Sequence, residues 1–228
     1  VVWYMRKKRE FLRQRFFQQI NRVRMENLRS RISPHFTFNV LGREINQFNG
    51  SEEVKHNLME LVKYLRRSLE LTEKLSVSLQ DELDFVRTYI ELERGRVGED
   101  FVATITVEDG LDATRIMIPS MIVQIPVENA IKHGLAGKDG KKELMVYVSR
   151  ETNGIRITVT DNGRGYLPQV VSATRGTGTG LKVLYQTIQL LNTKNKSDKI
   201  RFNITNRSDG QTGTEVSVYI PFRFSYDL

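Results

Sequence analysis

The first quarter of the chain carries one helical pattern that is too long to be buried within a single small domain. Between residues 7 and 48 apolar residues recur in steps of mostly three and four, and only Pro34 and Gly42 interrupt the pattern. A helix of about 40 residues would be about 60 Å long. A rod of this length needs another helix or another chain to cover its apolar side. The pattern therefore predicts a helical domain that forms by association.

A second helical pattern follows and completes a hairpin. Residues 49–51 (Asn-Gly-Ser) are typical of a turn, and a new apolar face begins at Val54 and continues to Leu69. Long amphipathic helices joined by a tight turn pack antiparallel, and such hairpins dimerise readily into four-helix bundles. We therefore expect a homodimer in which residues 28–78 form the dimerising hairpin.

A third helix is predicted to connect the hairpin to the rest of the chain. Residues 78–81 (Ser-Leu-Gln-Asp) have the spacing of a capping box, in which the serine hydroxyl accepts a hydrogen bond from a backbone N–H of the first turn. The helical pattern then continues to about Arg96, shortly before Gly98. We therefore expect residues 79–98 to form a connecting helix.

Beyond Gly98 the pattern changes to strands interleaved with helices. Apolar runs predict strands at residues 101–107, 144–149, 155–160, 200–205 and 215–220, and a helix at residues 180–191. Residues 151–154 (Glu-Thr-Asn-Gly) predict a hairpin turn between two of the strands. The chain is thus predicted to be α+β, with an α/β sandwich over residues 99–222 and a tail over residues 223–228.

Three short segments of this half combine glycine with polar residues. They are residues 127–134 (Val-Glu-Asn-Ala-Ile-Lys-His-Gly), residues 161–165 (Asp-Asn-Gly-Arg-Gly) and residues 175–181 (Arg-Gly-Thr-Gly-Thr-Gly-Leu). Glycine lets backbone N–H groups approach an anion without a Cβ in the way, and a helix N-terminus adds a favourable field for phosphate. The succession of these segments favours a nucleotide as the ligand.

Other common motifs do not match. The chain has no Gly-x-x-x-x-Gly-Lys-Ser/Thr segment, which excludes a P-loop. A Gly-x-Gly-x-Gly segment without a preceding strand disfavours a Rossmann fingerprint. The chain has no cysteine, which excludes disulfides, thiolate zinc sites and cysteine nucleophiles.

With these segments in this order, residues 99–222 resemble the ATP-binding domain shared by gyrase-type ATPases, heat-shock chaperone ATPases, MutL and histidine kinases, the GHKL superfamily. The resemblance implies that Asn129 is the Mg²⁺ ligand of the N box, and that Lys132 and His133 approach the phosphates of ATP. It also implies that Asp161 accepts a hydrogen bond from the adenine amino group. The other residues that it places around ATP are Gly163, Gly165, Gly176, Gly178, Gly180, Leu181 and Thr214.

The first half narrows the resemblance to the LytS/YehU-like sensor histidine kinases. Residues 31–39 (Arg-Ile-Ser-Pro-His-Phe-Thr-Phe-Asn) are similar to the Pro-His-Phe phosphoacceptor segment of that family. Further similarities lie at residues 64–69, 79–83, 89–90, 118–121 and 124–129. The resemblance implies that His35 is the phosphoacceptor, that ATP and Mg²⁺ are required, and that a response regulator receives the phosphoryl group. Pro34 fits this role because it interrupts the helix beside His35.

Two positions where related enzymes have an acidic residue carry an apolar residue in this sequence. Gyrase-type ATPases have a glutamate four residues before the N-box asparagine to activate water, and here that position is Ile125. This favours phosphate transfer to a side chain over hydrolysis. Many histidine kinases have an acidic residue directly after the histidine, and here that residue is Phe36, which leaves open what activates His35. Asn39 is a candidate to orient the ring of His35 or to position water for dephosphorylation of a partner.

The positive charge of the chain is confined to its first residues. Residues 1–31 hold ten Arg and Lys residues against two acidic ones, which equals the formal net charge of +8 of the whole chain. An apolar, aromatic start beside clustered Arg and Lys is typical of the cytoplasmic edge of a transmembrane helix. No stretch approaches the ~20 apolar residues that span a bilayer. We therefore expect a transmembrane and sensor region upstream, with residues 1–27 as a juxtamembrane helix.

The sequence thus predicts a protein-histidine kinase, the cytoplasmic part of a bacterial inner-membrane (plasma-membrane) sensor. One alternative is a dimeric signalling scaffold that binds nucleotide, or only dimerises, without transferring phosphate. Another is nucleic-acid binding through the basic helix, which we do not expect because readout residues are missing outside that stretch.

Overall fold

The fold was obtained as a computed structural model that describes residues 52–166, 179–193, 195 and 198–226. Its helices are α1 (Glu52–Glu73), α2 (Leu79–Val97), α3 (Gln124–Asn129), which continues into a π-helical turn (Ala130–Gly134), and α4 (Thr179–Asn192). Its strands are β1 (Ser76–Ser78), β2 (Phe101–Val107), β3 (Met117–Pro119), β4 (Lys142–Glu151), β5 (Gly154–Asp161), β6 (Arg201–Asn206) and β7 (Thr214–Pro221). The predicted first helix of the hairpin lies outside the described residues. Among the helices that are described, none has the length and apolar character needed to cross a membrane.

Helices α1 and α2 form where the sequence predicts helices. Helix α1 corresponds to the second helix of the predicted hairpin, and it buries Leu61, Tyr64 and Leu71. Helix α2 is capped by Ser78, whose hydroxyl oxygen accepts a hydrogen bond from the backbone N–H of Asp81 at 3.1 Å. The predicted capping box and third helix are thereby confirmed.

Helix α2 packs into the same hydrophobic core as the strands. Its buried side chains include Leu79, Leu83, Val86 and Ile90, spaced three or four residues apart on one face of the helix. The segment predicted as a connector therefore also covers part of the core.

Five strands form the central sheet, in the order β2-β4-β5-β7-β6. Strand β2 pairs parallel with β4, whereas the other neighbours pair antiparallel. Strands β4 and β5 form the predicted hairpin, in which Glu151 pairs with Gly154. The short strands β1 and β3 pair with each other in a separate two-stranded sheet. All five strands expected from the sequence are confirmed, and the two short ones were not predicted.

The central sheet has one covered face and one open face. Along β4, Leu144, Val146 and Val148 are buried, whereas the alternate residues Met145 and Tyr147 are 46% and 38% exposed. Helices α2, α3 and α4 contribute side chains to the core on the covered face. This is a two-layer α/β sandwich, which confirms the fold class predicted for this half of the chain.

Candidate functional site

Asp161 is a buried carboxylate at the end of strand β5. The residue is only 4% exposed. Its Oδ1 accepts hydrogen bonds from the backbone N–H groups of Gly163 at 2.8 Å and Thr214 at 3.4 Å. Burial raises the pKa of Asp161 because it disfavours the charged form, and the two N–H groups oppose this rise. A carboxylate held in this way offers a fixed hydrogen-bond acceptor to a ligand.

At two positions beside this carboxylate an added Cβ would clash with neighbouring atoms. A Cβ on Gly134 would lie 2.8 Å from Cγ of Asp161, and a Cβ on Gly163 would lie 2.1 Å from the carbonyl oxygen of Gly134. Both distances are far shorter than a van der Waals contact. A side chain at position 134 would displace the Asp161 carboxylate, and only glycine at position 163 lets its backbone come this close to that of Gly134. The sequence marked Gly134 as the end of a motif, but it did not reveal that Asp161 is its neighbour.

Asn129 ends helix α3 and precedes the π-helical turn Ala130–Gly134. In this turn the N–H of Leu135 donates to the carbonyl oxygen of Ala130 at 2.8 Å, one residue further back than in an α-helix. Such turns are rare and are frequent at functional sites. Nδ2 of Asn129 donates to the carbonyl oxygen of Ile125 at 2.7 Å. Because this bond engages the amide nitrogen, Oδ1 is the atom of Asn129 that can bind a cation.

Lys132 and His133 lie within the π-helical turn. Nζ of Lys132 is 2.5 Å from Oε1 of Glu128, because residues four positions apart are neighbours on a helix. His133 is half-buried, and burial together with the positive charge of Lys132 lowers the pKa of its imidazole. The ring is therefore neutral at pH 7.

Arg164 joins the π-helical turn to the loop that follows β5. Its Nε donates to the carbonyl oxygen of His133 at 2.9 Å. Its backbone N–H donates to the carbonyl oxygen of Gly134 at 3.3 Å. These bonds place the segment that carries Asn129 beside the segment that carries Asp161, so the first two of the three glycine-containing segments meet in the fold.

Asn206, at the end of β6, is a site residue that the sequence analysis missed. Its Oδ1 accepts a hydrogen bond from the backbone N–H of Tyr166 at 2.6 Å, and its Nδ2 donates to the carbonyl oxygen of Tyr166 at 3.3 Å. Gly165 lies against the same side chain. The pair of bonds fixes the backbone directly after the second glycine-containing segment. No local motif marks Asn206, because its partner lies 40 positions earlier in the chain.

The third glycine-containing segment is described only at its end. Gly180 and Leu181 lie in the first turn of α4, and Leu181 packs against the hydrophobic core. The residues predicted for the site that lie outside the described ranges are His35, Asn39, Gly176 and Gly178.

The described site residues suit a magnesium nucleotide. Asp161 offers an acceptor to the amino group of a base, Lys132 brings an ammonium group that pairs here with Glu128, and Asn129 offers one amide oxygen. Mg²⁺ bound with a nucleotide commonly takes few protein ligands, because phosphate oxygens and water complete its shell. Within the described residues, no cluster of three or more acidic or histidine side chains is placed to bind a metal.

Two family models match most of the chain. The first, described as histidine kinase, matches residues 23–101. The second, described as histidine kinase-, DNA gyrase B- and HSP90-like ATPase, matches residues 112–223. The chain belongs to the histidine kinase family. The second half of the chain thus has the ATP-binding fold of this family, and the resemblance found in the sequence is confirmed.

Similar curated proteins are sensor histidine kinases. YpdA of Escherichia coli (strain K12) is 28% identical over 205 residues, which cover 90% of this chain and 35% of YpdA. The sensor histidine kinase/phosphatase LytS of Staphylococcus aureus (strain MRSA252) is 32% identical over 197 residues, which cover 82% of this chain and 33% of LytS. The chain thus spans about a third of the length of these relatives. Among solved structures, the histidine kinase domain of the Erythrobacter litoralis EL346 blue-light activated histidine kinase has a TM-score of 0.49 at 17% identity, with 81% of this chain and 94% of that chain covered.

Proposed function

We propose that the chain is the kinase core of a two-component sensor histidine kinase. In this proposal His35 takes the γ-phosphoryl group from ATP and passes it to an aspartate of a response regulator. The observation that carries the proposal is the buried carboxylate of Asp161 beside the turn that follows Asn129. A nucleotide site of this kind supplies the phosphoryl donor that a histidine acceptor on the same chain requires.

Each described site residue has one role in this proposal. Asp161 accepts a hydrogen bond from the adenine amino group, and Gly134 and Gly163 allow the turn and the loop to pack closely around its carboxylate. Lys132 offsets negative charge on the phosphates. Asn129 binds Mg²⁺ through Oδ1, and Mg²⁺ when bound neutralises charge on the phosphate oxygens.

The transfer itself forms one bond and breaks another. A ring nitrogen of His35 attacks the γ-phosphorus, a nitrogen–phosphorus bond forms, and the bond between the γ-phosphorus and the bridging oxygen breaks, so that ADP leaves. The attacking nitrogen must carry no proton, which an ordinary imidazole pKa of about 6.5 allows at pH 7. Ile125 occupies the position of the glutamate that activates water in gyrase-type ATPases, and this favours transfer to His35 over hydrolysis.

We extend the proposal to the organisation and location of the protein. It comprises a juxtamembrane helix (1–27), a dimerising hairpin with the phosphoacceptor (28–78), a connecting helix (79–98), an ATP-binding domain (99–222) and a tail (223–228). The protein acts as a homodimer on the cytoplasmic side of a bacterial inner membrane, below a transmembrane sensor region. The names of the sensor-kinase relatives and the basic segment at residues 1–31 support this arrangement. The comparisons give no support to a non-catalytic scaffold.

The test is incorporation of radiolabel from [γ-³²P]ATP into the purified chain in the presence of Mg²⁺. We expect a label that is acid-labile and alkali-stable, as a phosphorus–nitrogen bond requires. His35→Ala should abolish the label, whereas the control His56→Ala, which removes a histidine of helix α1, should keep it. An unlabelled wild-type chain, or a labelled His35→Ala chain, would refute the proposal.

A further inference from the structure

Glu82 of helix α2 is a buried carboxylate that contacts the start of helix α3. The residue is 0% exposed. Its Oε2 accepts a hydrogen bond from the backbone N–H of Met121 at 2.9 Å, and its Oε1 accepts from the N–H groups of Val123 at 3.1 Å and Gln124 at 3.2 Å. One side chain thus satisfies three backbone donors that lie 39 to 42 positions later in the chain.

The start of α3 depends on this acceptor. The first N–H groups of a helix have no carbonyl partner within the helix and need one from outside. Val123, the N-cap residue, makes no capping hydrogen bond with its side chain. Met121 has a φ of 69°, a left-handed conformation that is uncommon for residues other than glycine. The bonds to Glu82 therefore hold a strained turn and a helix end that does not cap itself.

The helix that Glu82 holds at its start ends at Asn129. Helix α3 has only six residues, and Glu82 bonds to Gln124, the first of them. The amide of Asn129 is in turn bonded to the carbonyl oxygen of Ile125, the next residue along the helix, at 2.7 Å. A shift of the helix start would therefore be passed directly to the amide group of Asn129.

Helix α1 and the residues just after it also contact the start of α3. Nε2 of Gln124 lies 3.4 Å from the hydroxyl oxygen of Tyr64. The N–H of Ser120 donates to the carbonyl oxygen of Leu75, just after α1, at 3.2 Å. The start of α3 is thus held from α1 and from α2, and among these contacts Glu82 supplies the carboxyl group.

We propose that Glu82 is a positioning residue for the magnesium nucleotide, because it fixes the start of α3 and through it the orientation of Asn129. The inference rests on the proposed function. Stability alone does not call for a charge here, since burying a carboxylate costs desolvation free energy and neutral replacements of buried ionic groups are often tolerated. Three convergent hydrogen bonds to an ionised group, by contrast, fix a backbone segment more firmly than a neutral acceptor does.

The test compares the effect of Mg²⁺ on nucleotide affinity in matched variants. Glu82→Gln keeps the size of the side chain but removes the charge and one acceptor. The control Glu93→Gln makes the same change at a residue of α2 that is also 0% exposed, but whose carboxylate pairs with Arg96 of the same helix. Titration calorimetry with a non-hydrolysable ATP analogue, with Mg²⁺ and with EDTA, gives the ratio of the two dissociation constants for the folded fraction of each protein.

We expect Glu82→Gln to reduce the gain in affinity that Mg²⁺ provides by about tenfold, as loss of an outer-shell partner commonly does. The affinity in EDTA, which depends on Asp161, should stay close to that of the wild type. Glu93→Gln should keep the full Mg²⁺ effect. Hydrogen exchange should be faster at the amides of Met121, Val123 and Gln124 in Glu82→Gln but not in Glu93→Gln.

Glu82→Asp serves as a second variant, because it keeps the charge but is too short to reach all three donors. Glu82→Asp should lose part of the gain in nucleotide affinity that Mg²⁺ provides. It serves as the test variant if the Glu82→Gln chain does not fold. An unchanged Mg²⁺ effect in the folded Glu82 variants, or an equal loss in Glu93→Gln, would overturn the inference. A wild-type chain that binds nucleotide with a Mg²⁺ effect but takes no label on His35 would refute the proposed function and leave the role of Glu82 intact.

Discussion

Replacement of Gly134 by alanine is expected to weaken nucleotide binding while the fold persists. The added Cβ would lie 2.8 Å from Cγ and Oδ1 of Asp161 and 2.9 Å from its Oδ2. Carbon contacts in proteins have their optimum at about 3.5 Å or more, so the carboxylate must move by roughly 0.7 Å. Asp161 is only 4% exposed and is bonded to the N–H of Gly163, so this movement costs the bond that orients it.

The size of the effect follows from the bond that the ligand would lose. A hydrogen bond to a charged group contributes about 1.5–3 kcal/mol. Displacement of the carboxylate should therefore cost about 2 kcal/mol of binding free energy, or roughly a thirtyfold loss of affinity. Gly134 lies in a helical turn and its φ is not positive, so the alanine adds no backbone strain of its own.

The assay is calorimetric titration of the purified chain with ADP, with the folded fraction checked by circular dichroism. Gly110→Ala is the matched control, because Gly110 has a φ of 83° and nothing lies within 4 Å of an added Cβ. The control should lose about 1 kcal/mol of folding stability through backbone strain and keep its affinity. Wild-type affinity in Gly134→Ala, or an equal loss in both variants, would refute the argument.

Two further predictions concern folding stability. Burial raises the pKa of Asp161, so its charged form costs stability above that pKa, and the cost disappears as the pH falls through it. Asp161→Asn should therefore raise the Tm at pH 7, and this advantage over the wild type should disappear as the pH is lowered. The variant should also bind ADP at least about tenfold more weakly, because the acceptor for the ligand is weakened. A Tm below that of the wild type at pH 7 would contradict this prediction. Ser78→Ala should lower the free energy of unfolding in urea by about 1 kcal/mol through loss of the helix cap. The control Thr88→Ala, whose exposed hydroxyl bonds only to the Asp84 carbonyl oxygen of its own helix, should change it by less than about 0.5 kcal/mol, and equal losses would contradict the role of the cap.

Much of the fold could be predicted because its causes are local. The spacing of Ser78 and Asp81 predicted the start of α2, and the apolar run at residues 144–149 predicted strand β4. The ion pair between Glu128 and Lys132 follows from the helical repeat. The order of glycine-containing segments was specific enough to indicate a family, which the family models confirm. The roles of His35 and Asn39 stay predictions, because both lie outside the described residues.

The remaining features arise from contacts between distant parts of the chain. The parallel pairing of β2 with β4, the pairing of β1 with β3 and the π-helical turn have no local signal in the sequence.

What the sequence determined by itself was the type of the longer elements and the chemistry of the motifs, since these depend on neighbours within a few positions. Only the tertiary structure decided which motifs meet: Gly134 against Asp161, Asn206 against Tyr166, and Glu82 at the start of α3. A buried carboxylate at position 82 is costly unless donors surround it, and those donors are backbone groups that any sequence possesses. Which of them converge on Glu82 is fixed by the packing of α2 against the whole core, and no spacing in the sequence records it.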